Sequence, residues 1–198
     1  MKRNLYLLIA LVLLAGLITG CVTTRQPLVL QDEPIKSAEA EDLKVTMRFL
    51  DDPTLKAKFG ERTNPFLTDY FTVQMKRIMV FEITVENMRE LSVGLASKRL
   101  EIQFGGQNRT PYNRFQLTNY WETKDEQQDT RKSDRARKAG VIKDWVLPNE
   151  LTVAPGGKVK GYAVFLGNFP TYGTAVVYVP VLQAQERPIH RFEFDFSF

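Results

Sequence analysis

The sequence contains very few of the side chains that build disulfides, metal centres and histidine-dependent active sites. Its 198 residues include one cysteine, Cys21, and one histidine, His190. A single thiol cannot form an intramolecular disulfide, and a lone histidine cannot complete a zinc site of the usual multi-ligand type. We therefore predict no metal and no other cofactor, and we assign His190 to an exposed position on a strand.

An excess of charge of one sign is also lacking. The chain carries 27 Lys and Arg against 23 Asp and Glu, and two of the basic residues, Lys2 and Arg3, lie in the first 20 positions. Without those two the formal charge falls from +4 to +2, which argues against nucleic-acid binding. Hydrophobic residues make up 43% of the chain, enough for a core, so a disordered protein is excluded.

The only long uncharged apolar run lies at the start of the chain. Lys2-Arg3 precedes a stretch from Leu5 to Ile18, which ends in Ile18-Thr19-Gly20-Cys21. A basic start, an apolar middle and small residues at the end are typical of a secretory signal. The last four residues resemble the lipobox of bacterial lipoprotein precursors. That resemblance implies a signal peptide over 1–20, cleavage after Gly20, and a diacylglyceryl group on the Cys21 thiol.

An uncleaved anchor is the alternative for this segment. Asn4 to Thr24 is an uncharged run of 21 residues, which is long enough to span a bilayer as a helix. In either case the rest of the chain lies outside the cytoplasm. Val22 follows the cysteine where an inner-membrane retention signal usually has Asp, so the resemblance implies an outer-membrane anchor facing the periplasm.

Residues 21–42 are interpreted as the lipidated N-terminus and a flexible tether, because the segment is rich in polar residues and proline. Its one apolar island, Pro27-Leu28-Val29-Leu30, is either an edge strand of the domain or a strip that docks a partner. From Leu43 onward apolar and polar residues alternate, as in Leu43 to Phe49, which predicts half-buried strands. A single domain is therefore expected over 43–198.

A β-sandwich with one short helix is the predicted architecture. The one short helix is predicted between Asp52 and Gly60, with Asp52 as its N-terminal cap, Pro53 in its first turn and Gly60 as its end. The paired carboxylates Asp51-Asp52 could also bind Ca²⁺ or act in acid/base catalysis, but we prefer the capping role for Asp52. A bend is expected near Lys76-Arg77, because one strand from Phe71 to Val85 would be too long. Further strands are predicted at Ser92–Leu95, Leu100–Phe104, Lys158–Phe165, Thr174–Leu182 and Ile189–Phe198.

Two strand segments carry a resemblance. Phe81 to Asn87 and Leu151 to Phe165 resemble the immunoglobulin-like domains of bacterial extracytoplasmic lipoproteins. The resemblance implies an immunoglobulin-like antiparallel β-sandwich that serves as an interaction or scaffolding module. The last strand places four phenylalanines on one face, which we assign to the core: Phe192, Phe194, Phe196 and Phe198.

The segment 122–140 is unlike the rest because it has no large apolar residue and changes from acidic to basic. We interpret it as a charged insertion loop, with a helix that is polar all round as the alternative. Its five basic residues could bind an anionic partner such as lipid headgroups or an acidic protein surface. They are Arg131, Lys132, Arg135, Arg137 and Lys138.

Aromatic residues flank this segment, and they suit either a core or a platform that binds a glycan or peptide. They are Tyr112, Phe115, Tyr120, Trp121 and Trp145, and the platform would consist of Tyr112, Tyr120, Trp121 and Trp145. Taken together, these patterns predict a membrane-anchored envelope protein that binds a partner or scaffolds, and that is not an enzyme. The alternatives are an extracytoplasmic enzyme with a carboxylate, Tyr or Arg site, and a carrier of a hydrophobic ligand.

Overall fold

The computed structural model describes residues 26–68, 76–183 and 187–198. The predicted signal peptide and Cys21 lie outside these residues, as does the segment 69–75 before the expected bend. The strands are β1 (Ile35–Ala40), β2 (Leu43–Leu50), β3 (Arg77–Asn87), β4 (Val93–Ala96), β5 (Glu101–Phe104), β6 (Gln107–Arg109), β7 (Glu150–Val153), β8 (Lys158–Gly167), β9 (Thr174–Leu182) and β10 (Pro188–Ser197). The helices are α1 (Asp52–Phe59), α2 (Arg114–Gln127) and α3 (Lys132–Trp145), with a 3₁₀ turn at Ser97–Arg99.

The strands form two antiparallel sheets, which confirms the predicted mainly β sandwich. The first sheet has the order β1-β2-β3-β8. In the second sheet β9 is the central strand, and β10 pairs with one edge of it. The other edge of β9 pairs first with β5 and then, nearer its C-terminal end, with β4. The 3₁₀ turn separates β4 from β5, and β7 and β6 extend the sheet beyond them.

The core between the sheets follows the alternation seen in the sequence. The four C-terminal phenylalanines are all buried, as predicted: three lie on the inner face of β10 and Phe198 follows directly after it. Phe196 packs against Phe81 of β3 with ring centroids 5.0 Å apart. Phe198 packs against Phe49 of β2 at 5.0 Å. Since aromatic rings bury large apolar areas, β10 supplies a major part of the contact between the two sheets.

A second core covers the outer face of the first sheet. Ile78 and Val80 of β3 point away from the sandwich and pack in one cluster with Leu117 and Trp121 of α2 and Ile142 of α3. Because Met79 and Phe81 face the other way and are buried too, β3 is covered on both faces. This explains why Arg77 to Phe81 departs from a simple apolar and polar alternation.

The segment predicted as a charged loop over 122–140 is helical, which corrects that prediction. Residues 122–127 complete α2, and α3 begins at Lys132. Asn113 caps α2 in a capping box, since its side chain accepts from the Gln116 backbone N–H and the Gln116 side chain accepts from the Asn113 N–H. The helices contribute few apolar residues to the core, so their sequence shows little helical periodicity and resembles the polar alternative.

The N-terminal cap of α1 also differs from the prediction. Asp51, not Asp52, is the cap: its side chain accepts a hydrogen bond from the Thr54 backbone N–H at 3.0 Å. Asp52 is the first helical residue and Pro53 follows it. Gly60 ends the helix with a φ of 75°, as expected of a glycine stop.

The predicted tether is part of the domain from residue 26 onward. Leu28 and Leu30 pack against the core between the sheets, and β1 pairs with β2 from Ile35 to Ala40. The Gln31 N–H donates to the Ser197 carbonyl at 2.8 Å. The edge strand is therefore β1 and not the apolar island, and residues 26–34 cover one end of the sandwich.

The opposite end is organised by Asn87, the last residue of β3. Its amide donates to the carbonyls of Leu91, Val153 and Ala154, so it ties the β3–β4 loop to the β7–β8 turn. Met88 and Leu91 in this loop are exposed. Since β3 has 11 residues at about 3.3 Å each, this end lies roughly 33 Å from the end where Arg77 and Gly167 pair.

Candidate functional site

The five predicted basic residues do not form one surface. Lys138 is buried and its Nζ lies 2.6 Å from Asp125 Oδ1. Arg135 is half-buried and donates from Nε to the Thr130 carbonyl at 2.9 Å, so it stabilises the turn between α2 and α3. The remaining three are exposed on the helical hairpin formed by α2, α3 and the turn between them: Arg131, Lys132 and Arg137.

The four aromatics predicted as a platform all pack in the second core, where their ring contacts fall into two groups. Trp121 is buried, donates from Nε1 to the Pro65 carbonyl at 2.8 Å, and has the Lys138 ammonium 4.4 Å from its ring centroid. Tyr120 contacts Trp121 and Tyr112 edge to face, with centroids 5.4 and 6.5 Å away. Trp145 belongs to a different group with Phe59 and Tyr162. The core role therefore applies to Trp121, while Tyr112 remains half-buried and lines a groove.

Lys58, which the sequence did not indicate as a site residue, packs against the ring of Trp145. Lys58 Nζ lies 3.4 Å from the Trp145 ring centroid and donates to the Tyr162 hydroxyl at 2.7 Å. Burial is the main reason that the pKa of Lys58 is lowered, with Lys160 and Arg48 contributing and Glu82 opposing. Burial also raises the pKa of Tyr162 to about 12, helped by the nearby Glu82. Tyr162 thus keeps its phenol proton at neutral pH.

A polar groove of about 460 Å³ lies at the end of the sandwich where β3 starts and β8 ends. Five separate segments of the chain supply its side chains, and most of the lining residues are polar. The polar lining residues are Lys76, Glu101, Asn108, Arg109, Thr110, Tyr112, Gln116 and Asn168. We refer to this site as the polar groove.

The folding of each segment positions these residues. The β5–β6 turn is made by Gly105 and Gly106, both at positive φ, and a Cβ on Gly105 would lie 2.5 Å from the Pro170 ring. Gln107 donates to the Asn168 carbonyl at 2.7 Å, which fixes β6 against the β8–β9 loop. The Tyr112 N–H donates to the Val164 carbonyl at 2.8 Å, so the start of α2 is held at the edge of β8.

The charged side chains that line the polar groove are two cations and one carboxylate. Lys76 Nζ donates to the Tyr112 hydroxyl at 2.8 Å and keeps further N–H donors. Arg109 donates to Gln107 Oε1 at 3.1 Å. Glu101 also lines the groove, but it lies 3.5 Å from the Arg191 guanidinium. The arrangement can bind an anion or a polyhydroxyl group through lysine, arginine and amide donors.

Two exposed aromatics lie close in the sequence to residues of the polar groove. Phe115 precedes the groove residue Gln116 and is 72% exposed, and Tyr172 follows Asn168 in the β8–β9 loop and is 79% exposed. The other exposed large hydrophobic residues of the described chain are aliphatic. The sequence signal that could have indicated this region is the polar run Asn108 to Thr110 between the Gly-Gly turn and Tyr112.

A second groove, of about 430 Å³, is bordered by the N-terminal segment and the start of α1. We refer to it as the apolar groove. Its apolar lining comes from Pro27 to Leu30, Pro34, Phe49 and Pro53. Its size falls in the range of small-ligand sites, so it is the feature that best fits the hydrophobic-carrier alternative.

Neither a metal centre nor a membrane-spanning helix is found in the described residues. Over 26–68, 76–183 and 187–198, no three His, Cys, Asp or Glu residues come together as metal ligands. No helix in that part of the chain has both the length and the apolar character needed to cross a bilayer.

Comparison of the sequence with protein-family models and with curated proteins finds no match. Three solved structures are distant likenesses. The yjhA protein of Bacillus subtilis has 14% identity over 73% of this chain and 77% of its own, with a TM-score of 0.40. The ycdA protein of Bacillus subtilis, described as a presumed lipoprotein, has 10% identity over 83% of this chain and 39% of its own, with a TM-score of 0.41. A presumed ApaA protein of Bordetella pertussis has 13% identity over 84% and 93%, with a TM-score of 0.33. At these TM-scores the likenesses carry no argument about function.

Proposed function

We propose that this protein is a lipid-anchored component of the bacterial cell envelope that binds a partner or ligand rather than catalysing a reaction, and that the polar groove is its binding site. The anchor is the diacylglyceryl group on Cys21 implied by the Ile18-Thr19-Gly20-Cys21 motif. The observation that supports binding most is the concentration of donors in the polar groove, where Lys76 and Arg109 flank amide and hydroxyl groups.

The anchor is tested separately from the groove. Mass spectrometry of the purified mature protein should show cleavage after Gly20 and a lipidated Cys21, and Cys21→Ser should abolish lipid attachment. A mature protein that retains residues 1–20 without lipid would support the uncleaved-helix alternative.

The binding site is tested by in-cell cross-linking. A photo-reactive amino acid replaces Thr110, an exposed residue of the polar groove, and in a matched strain it replaces Thr152, an exposed residue of β7. We expect a specific adduct from position 110 that is lost when Lys76→Gln and Arg109→Gln are added. Equal adducts from both positions, or an adduct that survives the two substitutions, would contradict the proposed site.

A carrier of a hydrophobic ligand is the second candidate, supported by the apolar groove. Leu30→Trp would fill this groove, so a carrier should lose binding of a fluorescent fatty acid. The matched substitution Leu91→Trp, at the exposed loop of the opposite end, should leave that binding unchanged. Absence of fatty-acid binding by the unsubstituted protein would remove this candidate.

A further inference from the structure

We propose that the end of the domain that carries the polar groove faces the membrane, and that the groove binds the anionic phosphate headgroups of the lipids in which the protein is anchored. This inference rests on the proposed lipid anchor and adds the orientation of the domain and the chemistry of the groove's ligand. Three independent observations on the described residues support it.

The first observation is where the N-terminal segment meets the domain. The Gln26 carbonyl accepts a hydrogen bond from the buried Arg77 guanidinium at 2.7 Å. Arg77 pairs across the sheet with Gly167, and Gly167 lines the polar groove together with Lys76. The chain therefore joins the domain at the same end as the groove.

The second observation is how little chain separates this point from the anchor. Cys21 precedes Gln26 by five residues, and five residues span at most about 18 Å when fully extended. A tether over 21–42 would have let the domain move freely away from the bilayer. Because residues 26–34 are packed on the sandwich, the groove end must instead stay near the headgroups, while Met88 lies at the far end of β3.

The third observation is the chemistry of the surface at that end. Lys76 and Arg109 line the groove, and basic side chains are attracted to an anionic lipid surface. Phe115 adjoins the groove residue Gln116 in the chain and Tyr172 lies four residues after Asn168, and the two rings are 72% and 79% exposed. Exposed aromatic rings beside cations are typical of surfaces that insert at the level of lipid headgroups. An exposed ring facing only water would gain nothing from this position.

The orientation can be measured with spin labels, because Cys21 is the only cysteine and lipidation consumes its thiol. The full protein is purified in its lipidated form, and lipid on Cys21 is verified by mass. It is then reconstituted into phosphatidylcholine vesicles with or without phosphatidylglycerol. Nitroxides are attached at Phe115→Cys and Tyr172→Cys, and at Met88→Cys and Leu91→Cys as controls from the opposite end.

In vesicles with phosphatidylglycerol, labels at 115 and 172 should be accessible to oxygen and shielded from a water-soluble nickel complex. Labels at 88 and 91 should remain in water. Equal water accessibility at all four positions would overturn the inference while leaving the anchor intact. A mass without lipid on Cys21 would instead overturn the proposed anchor, on which the inference depends.

Charge variants test the groove itself. Lys76→Gln with Arg109→Gln should reduce the equilibrium constant for docking on the anionic bilayer about thirtyfold, since two basic contributions of about 1 kcal/mol each are lost. The matched control is Lys132→Gln with Arg137→Gln, which removes two exposed charges of α3 and should leave docking unchanged. If docking were weakened by Lys132→Gln with Arg137→Gln and not by Lys76→Gln with Arg109→Gln, the helical hairpin would be the surface that contacts the membrane, and the proposal would be overturned.

A final comparison separates lipid headgroups from soluble phosphate compounds. Glycerol 3-phosphate is added to the docked protein, and sodium chloride of the same ionic strength is added to a second sample. Equal effects of the two support the lipid surface as the ligand, because both salts then act by screening. Undocking by glycerol 3-phosphate at concentrations where chloride has no effect would identify a soluble phosphate ligand and overturn the proposal.

Discussion

Lys138 Nζ lies 2.6 Å from Asp125 Oδ1, and the two side chains are buried between α2 and α3 with 8% and 2% of their surface exposed. Asp125 also accepts a hydrogen bond from the Thr130 hydroxyl at 3.2 Å. The Lys138 ammonium packs on the Trp121 ring as well. A residue that looks like part of a basic patch in the sequence therefore stabilises the helical hairpin, and only part of the predicted basic set remains for a partner.

Breaking this ion pair should destabilise the domain. Lys138→Met leaves the Asp125 carboxylate buried without its cation, and loss of one partner of a buried pair costs about 3 to 5 kcal/mol. The free energy of unfolding is measured by urea denaturation. Lys132→Met, at an exposed position of the same helix, should change it by less than about 0.5 kcal/mol. A loss of similar size in both variants would show that the pair is not a stabilising contact.

The start of α1 offers a second matched pair. Asp51→Ala removes the side chain that accepts from the Thr54 N–H and should cost about 1 kcal/mol. Asp52→Ala removes a negative charge from the first helical turn, which is typically worth about 0.3 to 1 kcal/mol, so the smaller loss is expected there. Thermal denaturation of both variants measures the difference. A larger loss for Asp52→Ala would restore the sequence-based assignment of the cap.

Sequence patterns predicted the strands that bury one face and failed where tertiary contacts decide the structure. β2, β9 and β10 alternate clearly and were found close to their expected bounds. β1 is an edge strand that pairs with β2, and its mostly polar sequence shows no alternation of large apolar and polar residues. The polar groove could not be predicted, because Lys76, Arg109 and Asn168 come together only through the pairing of β3 with β8 and the packing of β6.

The two charged helices were missed for a related reason. Helices α2 and α3 bury only a few apolar residues, chiefly Leu117, Trp121 and Ile142, and they bury Lys124, Asp125 and Lys138 beside them. A periodicity in hydrophobicity cannot reveal a helix whose inward face contains ion pairs. The observed hairpin is helical but not polar all round, because one face of it is buried. It is stabilised by the Asn113 cap of α2, by the buried ion pair and by contact with the outer face of β3.

Tyr162 should make stability depend on pH in the alkaline range. Its pKa is raised to about 12, chiefly by burial, so the folded state holds the phenol proton more tightly than the unfolded state does. This contribution is complete below about pH 10, the ordinary pKa of tyrosine, and is lost as the pH rises towards 12. Its full size is about 3 kcal/mol, because the pKa differs by about two units and each unit corresponds to about 1.4 kcal/mol.

The measurement compares unfolding free energies at pH 9 and at pH 11.5 for the protein and two variants. In Tyr162→Phe the loss between these values should be smaller than in the unsubstituted protein, since the titrating phenol is gone. Tyr172→Phe, which alters an exposed tyrosine, should keep the full loss. Parallel pH profiles for the protein and Tyr162→Phe would contradict the assignment.

The last strand should be the most sensitive part of the core. Phe196 is fully buried and packs 5.0 Å from the Phe81 ring, and it also lies within 5.1 Å of the Lys36 ammonium. Phe196→Ser leaves a cavity and buries a hydroxyl, and truncation of a buried phenylalanine alone costs about 3 to 5 kcal/mol. Because a domain of this kind has about 5 to 15 kcal/mol of stability in total, we expect a large fall in Tm or an unfolded protein. Phe115→Ser alters an exposed ring and should leave Tm nearly unchanged. A Phe196→Ser variant that keeps its Tm would show that β10 does not close the core between the two sheets.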